Sequence, residues 1–417
     1  MMSLEKLLEN RRLEVQVLDL PKNVKFCRKC VVSNQRPRID FDEQGVCSAC
    51  RYAEYKHHVI DWKAREAQLE VLLDKHRSKD GSYDCVVPGS GGKDSGYVAH
   101  QLKYKWGMNP LTVTWAPFVY TDIGWKNFQS FIHSGFDNLL ATPNGDLHRK
   151  LSKLAFFELG DAWQPFTYGQ VSYAFHIAQK FGIKLVFFGE NGEAEYGGDV
   201  KTWDLPGMRL EDWRVNYFKG AGLDSLVKTG VDAGLFTEKD ARNNFHFYRP
   251  PSLEDMRKSG CQFHWYAFYN KWTPQENYYY CREHTGFEAN PDGRSEGTYS
   301  RYASLDDRMD GFHYYLAFMK FGICRATSDA AHEVRDGHIT RDEAMALVKR
   351  YDGEFPAKNY KEFLEYLDIS DEQFWRVCDS WRQPHIWDKV NGEWRLKHAV
   401  YYPEDAVDPL PPPTVAL

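Results

Sequence analysis

The sequence predicts an α/β protein with a parallel sheet that carries helices on both faces. Three observations support this prediction. Between residues 83 and 200, short apolar runs alternate with segments of helical length and periodicity. A glycine-rich turn, GSGGKDS at 89–95, follows the first run and leads into a helical segment. Two C-x₂-C pairs come before this region, and a mainly helical region comes after it.

The composition is that of an ordinary soluble globular protein. The chain has 417 residues, of which 42% are hydrophobic and 27% charged, and this length allows roughly two or three domains. The net charge of −6 argues against a dedicated nucleic-acid binder, so we expect no nucleic-acid partner. An apolar run of about 18 residues for membrane insertion is lacking, as is an apolar signal core. We therefore expect a cytoplasmic protein.

The first predicted domain, residues 1–55, joins a polar lead-in to a cysteine cluster. Cys27, Cys30, Cys47 and Cys50 form two C-x₂-C pairs separated by sixteen residues, a spacing typical of zinc ribbons. Four thiolates complete a tetrahedral coordination sphere, so we expect a structural Zn²⁺. An iron–sulfur cluster is the alternative for the same ligands.

The remaining domain boundaries follow from changes of pattern. Residues 56–82 are predicted to form one linking helix, because apolar residues recur at helical spacing up to Gly81. The sheet domain is expected over 83–200, with strands at 84–90, 110–117, 136–142 and 183–190. Residues 201–400 are aromatic-rich and helical, and we expect them to bind substrate or a partner. The proline-rich residues 401–417 predict an extended tail.

The glycine-rich turn does not match the two commonest phosphate-binding motifs. A Walker A loop would need glycine at position 87, which is valine, and serine or threonine at position 94, which is aspartate. The dinucleotide fingerprint would need glycine at position 94. Backbone N–H groups, hydroxyls and the positive end of the following helix still make the turn suitable for an anion. The residues that would provide these donors are Gly89, Ser90, Gly91, Gly92 and Ser95.

Residues Ser90 to Ser95 read SGGKDS and resemble the PP-loop of the ATP pyrophosphatase superfamily, whose signature is SGGxDS after an apolar strand. The resemblance implies an adenine nucleotide alpha hydrolase-like fold and an enzyme that splits ATP between the α and β phosphates. AMP is placed on a carbonyl oxygen of the second substrate, and a nucleophile then displaces it. Lys93 would offset phosphate charge, and Asp94 would help to hold Mg²⁺.

The ends of two other predicted strands supply further candidates for the nucleotide crevice, since ligands of such folds lie at the carboxyl ends of the strands. The candidates for contact with adenine are Thr114, Trp115 and Ala116. Trp115 is equally consistent with a core residue. The fourth strand offers Gly189 for the nucleotide and Glu190 as a catalytic group beside Lys93 and Asp94.

Four stretches between residues 27 and 356 resemble the N-acetyl sugar amidotransferases of bacterial O-antigen and flagellar sugar biosynthesis. They are CRKCVVSNQRPRIDFDEQGVCSAC, GSGGKDSGYVAHQLK, FFGENGEAEYGG and the stretch from SEGTYSRYASLDDRMDG at 295 to KRYDGEFP at 356. The resemblance implies ATP-dependent conversion of an acetamido group on a UDP-linked N-acetyl sugar into an acetamidino group, with release of AMP and pyrophosphate. It also implies ammonia from a glutaminase subunit like that of imidazole glycerol phosphate synthase, in some members with a cyclase-like subunit.

Two polar loops are candidates for the sugar site. The loop ENGEAEYGG at 190–198 places Glu195 either beside the sugar or in a solvated acidic loop. The second loop is RSEGTYSRYASLDD at 294–307. It either binds a sugar nucleotide, with its arginines paired to phosphates or a carboxylate, or is a hydrogen-bonded structural loop. Its candidate residues are Arg294, Glu296, Tyr299 and Arg301. Lys320 and Arg325, on the helical segment beyond, are weaker candidates.

Two other functions are compatible with the same motifs. A PP-loop enzyme that thiolates tRNA would show a reactive cysteine pair and a basic face. Cys261 and Cys281 could form such a pair, but neither lies in a C-x₂-C pair or a glycine-rich turn. A zinc-ribbon scaffold with an inactive ATP site is the non-enzymatic alternative, and the intact Lys93 and Asp94 argue against it.

Overall fold

The computed structural model describes residues 13–209, 212, 218 and 220–413. The first twelve residues of the predicted lead-in and the last four of the predicted tail lie outside the described residues. Within this part, the protein is a mixed α/β structure with a five-stranded parallel sheet, many helices and a cluster of four cysteines near the amino end.

The parallel sheet places its first strand in the centre. Its strands are β1 (Cys85–Pro88), β2 (Pro110–Trp115), β3 (Asn138–Ala141), β4 (Leu185–Phe188) and β5 (Gln262–Trp265). Their spatial order is β3-β2-β1-β4-β5, and each neighbouring pair is parallel. The chain moves out from β1 to β3 and then returns to the other side of β1. The order therefore reverses between β1 and β4, and ligands of open parallel sheets bind at such a reversal.

Helices connect the strands and form most of the C-terminal half. They are α1 (Ser48–His58), α2 (Trp62–His76), α3 (Lys93–His100), α4 (Asp122–His133), α5 (Gly145–Leu159), α6 (Gln164–Lys180), α7 (Gly192–Tyr196), α8 (Leu223–Asp232), α9 (Glu238–Asn243), α10 (Leu253–Ser259), α11 (Pro274–His284), α12 (Asp310–Phe321), α13 (Arg325–Arg335), α14 (Arg341–Tyr351), α15 (Tyr360–Leu367) and α16 (Asp371–Trp381). A separate antiparallel hairpin consists of β6 (Trp387–Val390) and β7 (Glu393–Leu396).

Helices cover both faces of the sheet, as predicted. Val86 of β1 belongs to one apolar cluster, with Leu151 of α5 and Ala174 of α6. Its neighbour Val87 belongs to another cluster, with Val98 of α3. Since successive side chains of a strand point to opposite faces, this alternation means that an apolar layer lies on each side of β1.

Two predicted boundaries need correction. The strand β5 pairs with β4, so the sheet extends past the predicted limit at residue 200. Its sequence, QFHW, has no β-branched residue and lies in a stretch without the alternation of strands and helices that marks residues 83–200. The predicted linking helix over 56–82 is two helices, because the Asp61 side chain accepts a hydrogen bond from the Ala64 N–H and thereby caps a new helix.

The helical C-terminal region packs on the sheet domain through aromatic rings. The rings of Phe312 in α12 and Phe363 in α15 stack with centroids 4.0 Å apart. Phe156 of α5 stacks on Phe374 of α16 at 5.9 Å. These rings form one buried cluster, so much of the high aromatic content belongs to the core of the protein.

The cysteine-rich segment packs on the same C-terminal region. Its buried cysteines share an apolar cluster with Ala330 and Val334 of α13. At the start of α14, the Arg341 guanidinium donates to the carbonyl oxygens of Cys30 and Cys27, at 3.1 and 3.4 Å. The segment is therefore enclosed by residues that lie about three hundred positions further along the chain.

A buried ion network joins these parts. Lys56 of α1 is 1% exposed, and its ammonium donates to Glu195 at 2.9 Å and to the Trp272 carbonyl at 3.1 Å. Asp336 lies 3.5 Å from the same nitrogen. Burial alone would raise the pKa of Glu195, but Lys56 and His332 outweigh it and hold that pKa at about 2.

We predict that Glu195→Gln lowers the free energy of unfolding by about 3 kcal/mol at pH 7, because removing one partner leaves a buried charge poorly compensated. Denaturant unfolding would measure this change. The matched control is Glu70→Gln, which replaces an exposed glutamate of α2. Equal stability of the two variants would contradict the role given to the network.

The ion pair between Lys56 and Glu195 also predicts that the stability of the protein falls in acid. Because the folded pKa of Glu195 lies below its usual value of 4.5, the stabilisation is complete above that pH and is lost as the pH falls towards 2. The wild-type protein should therefore lose more stability than Glu195→Gln between pH 5 and pH 2. Parallel pH profiles for the two proteins would contradict this prediction.

Candidate functional site

The glycine-rich turn lies between the end of β1 and the start of α3. Gly91 has a φ of +89°, in the left-handed region that favours glycine. A Cβ at this position would lie 2.6 Å from the Cα and 2.7 Å from the N of Phe128 in α4. The backbone of the turn therefore approaches a neighbouring helix so closely that no other residue fits without a shift.

Several hydrogen bonds fix the turn and leave donors free at the helix start. The Thr114 hydroxyl donates to the Gly89 carbonyl at 2.5 Å, and the Gly89 N–H donates to the Val113 carbonyl at 2.9 Å. Gly92 is the N-cap of α3 and has no side chain to accept from the first N–H groups of that helix. These groups and the helix dipole are available to an anion.

A cavity of about 370 Å³ opens at the reversal between β1 and β4. It brings together eight of the residues that the sequence predicts for the nucleotide: Gly89, Ser90, Gly92, Asp94, Ser95, Trp115, Gly189 and Glu190. Phe166 and Tyr173 of α6 complete the apolar part of its wall. The cavity thus combines an anion-binding loop with an aromatic surface suited to a flat ring.

Three charged side chains meet at the edge of this cavity. The Lys93 ammonium lies 2.5 Å from a carboxylate oxygen of Asp94. Burial, followed by the negative charge of Asp94, raises the pKa of Glu190 to about 7. Two carboxyl groups that repel each other in this way favour a shared cation, and carboxylate oxygens are suitable ligands for Mg²⁺.

The other two predicted residues of the second strand have structural contacts. Thr114 is buried and holds the turn through its hydroxyl, which also accepts from the Asn138 amide at 2.9 Å. Ala116 is buried, and its N–H donates to the Ala141 carbonyl at 2.9 Å. The strand therefore reaches the cavity through Val113 and Trp115.

The C-terminal region encloses the other side of the turn. An inner cavity of about 160 Å³ lies between the turn and the residues Tyr302, Asp306 and Arg325. The Lys93 ammonium lies 5.1 Å from the centroid of the Tyr302 ring. The site is therefore formed by two regions that are two hundred residues apart in the sequence.

One face of α13, beside the inner cavity, carries residues that the sequence analysis missed or ranked low. Arg325, Asp329 and Glu333 follow one another at intervals of four residues on α13, so they lie on one face of that helix. All three line a small chamber next to the inner cavity. The periodic charge was visible in RATSDAAHE, but without the fold it is the usual pattern of a solvated helix face.

The predicted sugar-binding residues do not gather in one place. Arg294 and Glu296 line an outer cavity of about 540 Å³, where Arg294 makes two hydrogen bonds to Glu354 at 2.7 and 2.8 Å. Tyr299 is half-buried and lies beside Glu333, whereas Arg301 is exposed.

Glu195 needs correction as a candidate for the sugar site. Its side chain is enclosed in the ion network with Lys56 and has no open face towards the crevice. The weaker candidate Lys320 is also internal, since it donates to Glu14 at 3.0 Å and to the Leu159 carbonyl at 2.9 Å.

The four clustered cysteines could bind a metal ion such as zinc. Their sulfur atoms lie within 4.8 Å of one another, and all four side chains are buried. The Cys27–Cys50 and Cys30–Cys47 sulfur pairs are 3.9 and 3.7 Å apart. Sulfur atoms about 2.3 Å from a tetrahedral zinc would lie about 3.8 Å apart. Backbone N–H groups of Lys29 and Cys47 also donate to the Cys27 sulfur.

The remaining cysteines lie apart from this cluster and have environments that disfavour the thiolate. Burial raises the pKa of Cys261 and of Cys281 to about 12. The Cys281 thiol donates to the Lys93 carbonyl at 3.0 Å, so it supports the first turn of α3.

Among the described residues, none of the helices combines the length and the apolar character that crossing a membrane requires.

Comparison with known families gives one match. Residues 296–401 match the family model described as LPS biosynthesis protein WbpG-like, C-terminal domain. The matched part contains Tyr302 and helices α12–α16, and therefore the residues that enclose the inner cavity. The match supports a family of LPS biosynthesis proteins and confirms the predicted resemblance at that level. No curated protein matches the chain.

We predict that Gly91→Ala abolishes nucleotide binding, because the added Cβ must displace either the turn or α4. The matched control is Gly81→Ala. Gly81 has a similar φ of +85°, but a Cβ there would meet nothing within 4 Å. Both variants carry backbone strain of about 1 kcal/mol, so they differ in the contact with Phe128 and in the place of Gly91 in the turn. Equilibrium binding of ATP would measure the effect, and equal affinities would contradict the prediction.

Proposed function

We propose that the protein is an ATP-dependent amidotransferase that converts an acetamido group of an N-acetylated, nucleotide-linked sugar into an acetamidino group. The observation that carries this proposal is the SGGKDS turn at the carboxyl end of β1, which opens onto the cavity between β1 and β4. The match of residues 296–401 to LPS biosynthesis proteins supports a sugar as the second substrate.

In this proposal the phosphates of ATP bind to the turn and the adenine lies beside Trp115. The free N–H groups at the start of α3 and the Ser90 and Ser95 hydroxyls would hold the departing pyrophosphate. Lys93 would offset its charge. Asp94 and Glu190 would hold Mg²⁺, which would neutralise charge on the phosphates when bound.

The reaction would activate a poor electrophile before nitrogen is added. The amide oxygen of the sugar attacks the α phosphorus, which forms an O–P bond and releases pyrophosphate. The resulting imidate carbon is electrophilic, and AMP is a good leaving group in place of hydroxide. The protein positions the two substrates and stabilises charge, so it needs no nucleophilic side chain.

We propose that a glutaminase subunit supplies the ammonia, with a cyclase-like subunit as a further partner, and that the reaction takes place in the cytoplasm. Ammonia is scarce at neutral pH because most of it is ammonium, which gives a dedicated source an advantage. The buried thiols of Cys261 and Cys281 count against the alternative of tRNA thiolation, which needs reactive cysteines.

The cysteine cluster is proposed to hold one structural Zn²⁺. We expect one zinc per chain by elemental analysis, and no iron. Cys30→Ser should lose the metal and lower the unfolding temperature, because four thiolates fold a segment that has little core of its own. The control is Cys261→Ser, which lies outside the cluster. About two or four iron atoms per chain, together with inorganic sulfide, would favour the iron–sulfur alternative.

The function can be tested by identifying the nucleotide product. The protein is incubated with ATP, Mg²⁺, an ammonium salt and a panel of UDP-linked diacetamido sugars. We expect AMP and pyrophosphate with one sugar, whose mass falls by about one dalton as NH replaces oxygen. Lys93→Ala should slow the reaction about a hundredfold. The control, Lys63→Ala, replaces an exposed lysine of α2. ADP and phosphate as products would contradict the proposal.

A further inference from the structure

A small polar chamber adjoins the inner cavity beside Lys93. Its volume is about 40 Å³, whereas one bound water needs roughly 10–15 Å³. The chamber can therefore hold a small molecule but not a sugar or a nucleotide. It shares Lys93, Tyr302 and Arg325 with the inner cavity, so a molecule in the chamber lies next to the phosphate-binding turn.

Within the part of the chain that the structure describes, the carboxylates that line the chamber are paired with cations, with one exception. Arg325 lies 3.1 Å from Asp329, and Asp336 lies 3.5 Å from Lys56. Among the described residues, no cationic side chain forms an ion pair with Glu333, and the polar group beside it is the Tyr299 hydroxyl. The chamber therefore presents one carboxylate whose charge is not compensated by a cation.

We propose that this chamber binds the nitrogen donor, as ammonia or ammonium, and that Glu333 accepts its proton. The inference rests on the proposed function. Two aromatic rings, Tyr196 and Tyr302, also line the chamber. Aromatic faces and a carboxylate are together a suitable environment for a small nitrogen cation.

The transfer step balances with Glu333 as the proton acceptor. The lone pair of ammonia forms a C–N bond to the imidate carbon. The C–O bond to AMP breaks, and its electron pair stays on the phosphate oxygen. One N–H proton moves to the Glu333 carboxylate, and the product is an amidinium. Burial raises the pKa of this carboxyl to about 7, which suits a group that must accept and return a proton at neutral pH.

The test separates the two half-reactions. Glu333→Gln keeps the size of the side chain and removes the proton acceptor. We expect at least a tenfold rise in the KM for ammonium, or a similar loss in the rate of amidine formation. Sugar-dependent exchange between pyrophosphate and ATP, which needs no ammonia, should change much less. Glu70→Gln is the control, and unfolding temperatures confirm that each variant is folded.

A binding measurement decides the inference independently of turnover. Ammonium chloride should raise the unfolding temperature of the wild-type protein more than sodium chloride at equal ionic strength, and this difference should disappear in Glu333→Gln. An ammonium effect that survives in the variant, or a KM and a rate of amidine formation that both stay unchanged, would overturn the inference. A wild-type protein that binds ammonium through Glu333 but forms no AMP would retain the inference and reject the proposed function.

Discussion

The buried ion pair between Lys56 and Glu195 is the contact on which the arrangement of the whole molecule depends. It joins α1, which also carries Cys50, to α7, the short helix that follows β4. Arg335 of α13 donates to the Glu195 carbonyl at 2.9 Å, and its guanidinium also lies 3.9 Å from the Cys30 sulfur. Burying these charges is costly in itself, so their value lies in fixing one relative position of three distant segments.

That position determines which groups surround the glycine-rich turn. Because α13 is held against the cysteine cluster on one side, its opposite face carries Arg325 and Glu333 towards the turn. The cysteine-rich segment can therefore support the site without touching it. The region that matches LPS biosynthesis proteins supplies one wall of the inner cavity, and the sheet domain supplies the other. A site formed by two regions requires that both are held in the correct relative position.

Local sequence patterns were sufficient for the first four strands of the sheet, the turn and the cysteine cluster. Each of these depends on residues close in the chain, such as an apolar run that ends in glycine. The fifth strand and the role of Glu195 could not be predicted in this way. Lys56 and Glu195 are 139 residues apart, and no local pattern reveals that such a pair will meet. The same reason explains why the face of α13 was ranked low.

The most direct test of the account is a crystal structure with Mg²⁺ and an ATP analogue whose α–β bridge cannot be cleaved. We expect the β and γ phosphates within hydrogen-bonding distance of the N–H groups at Gly91 and Gly92, and the adenine beside Trp115. The cation should lie between Asp94 and Glu190. A nucleotide bound elsewhere, or a turn that remains empty at saturating analogue, would contradict the assignment of this crevice as the ATP site.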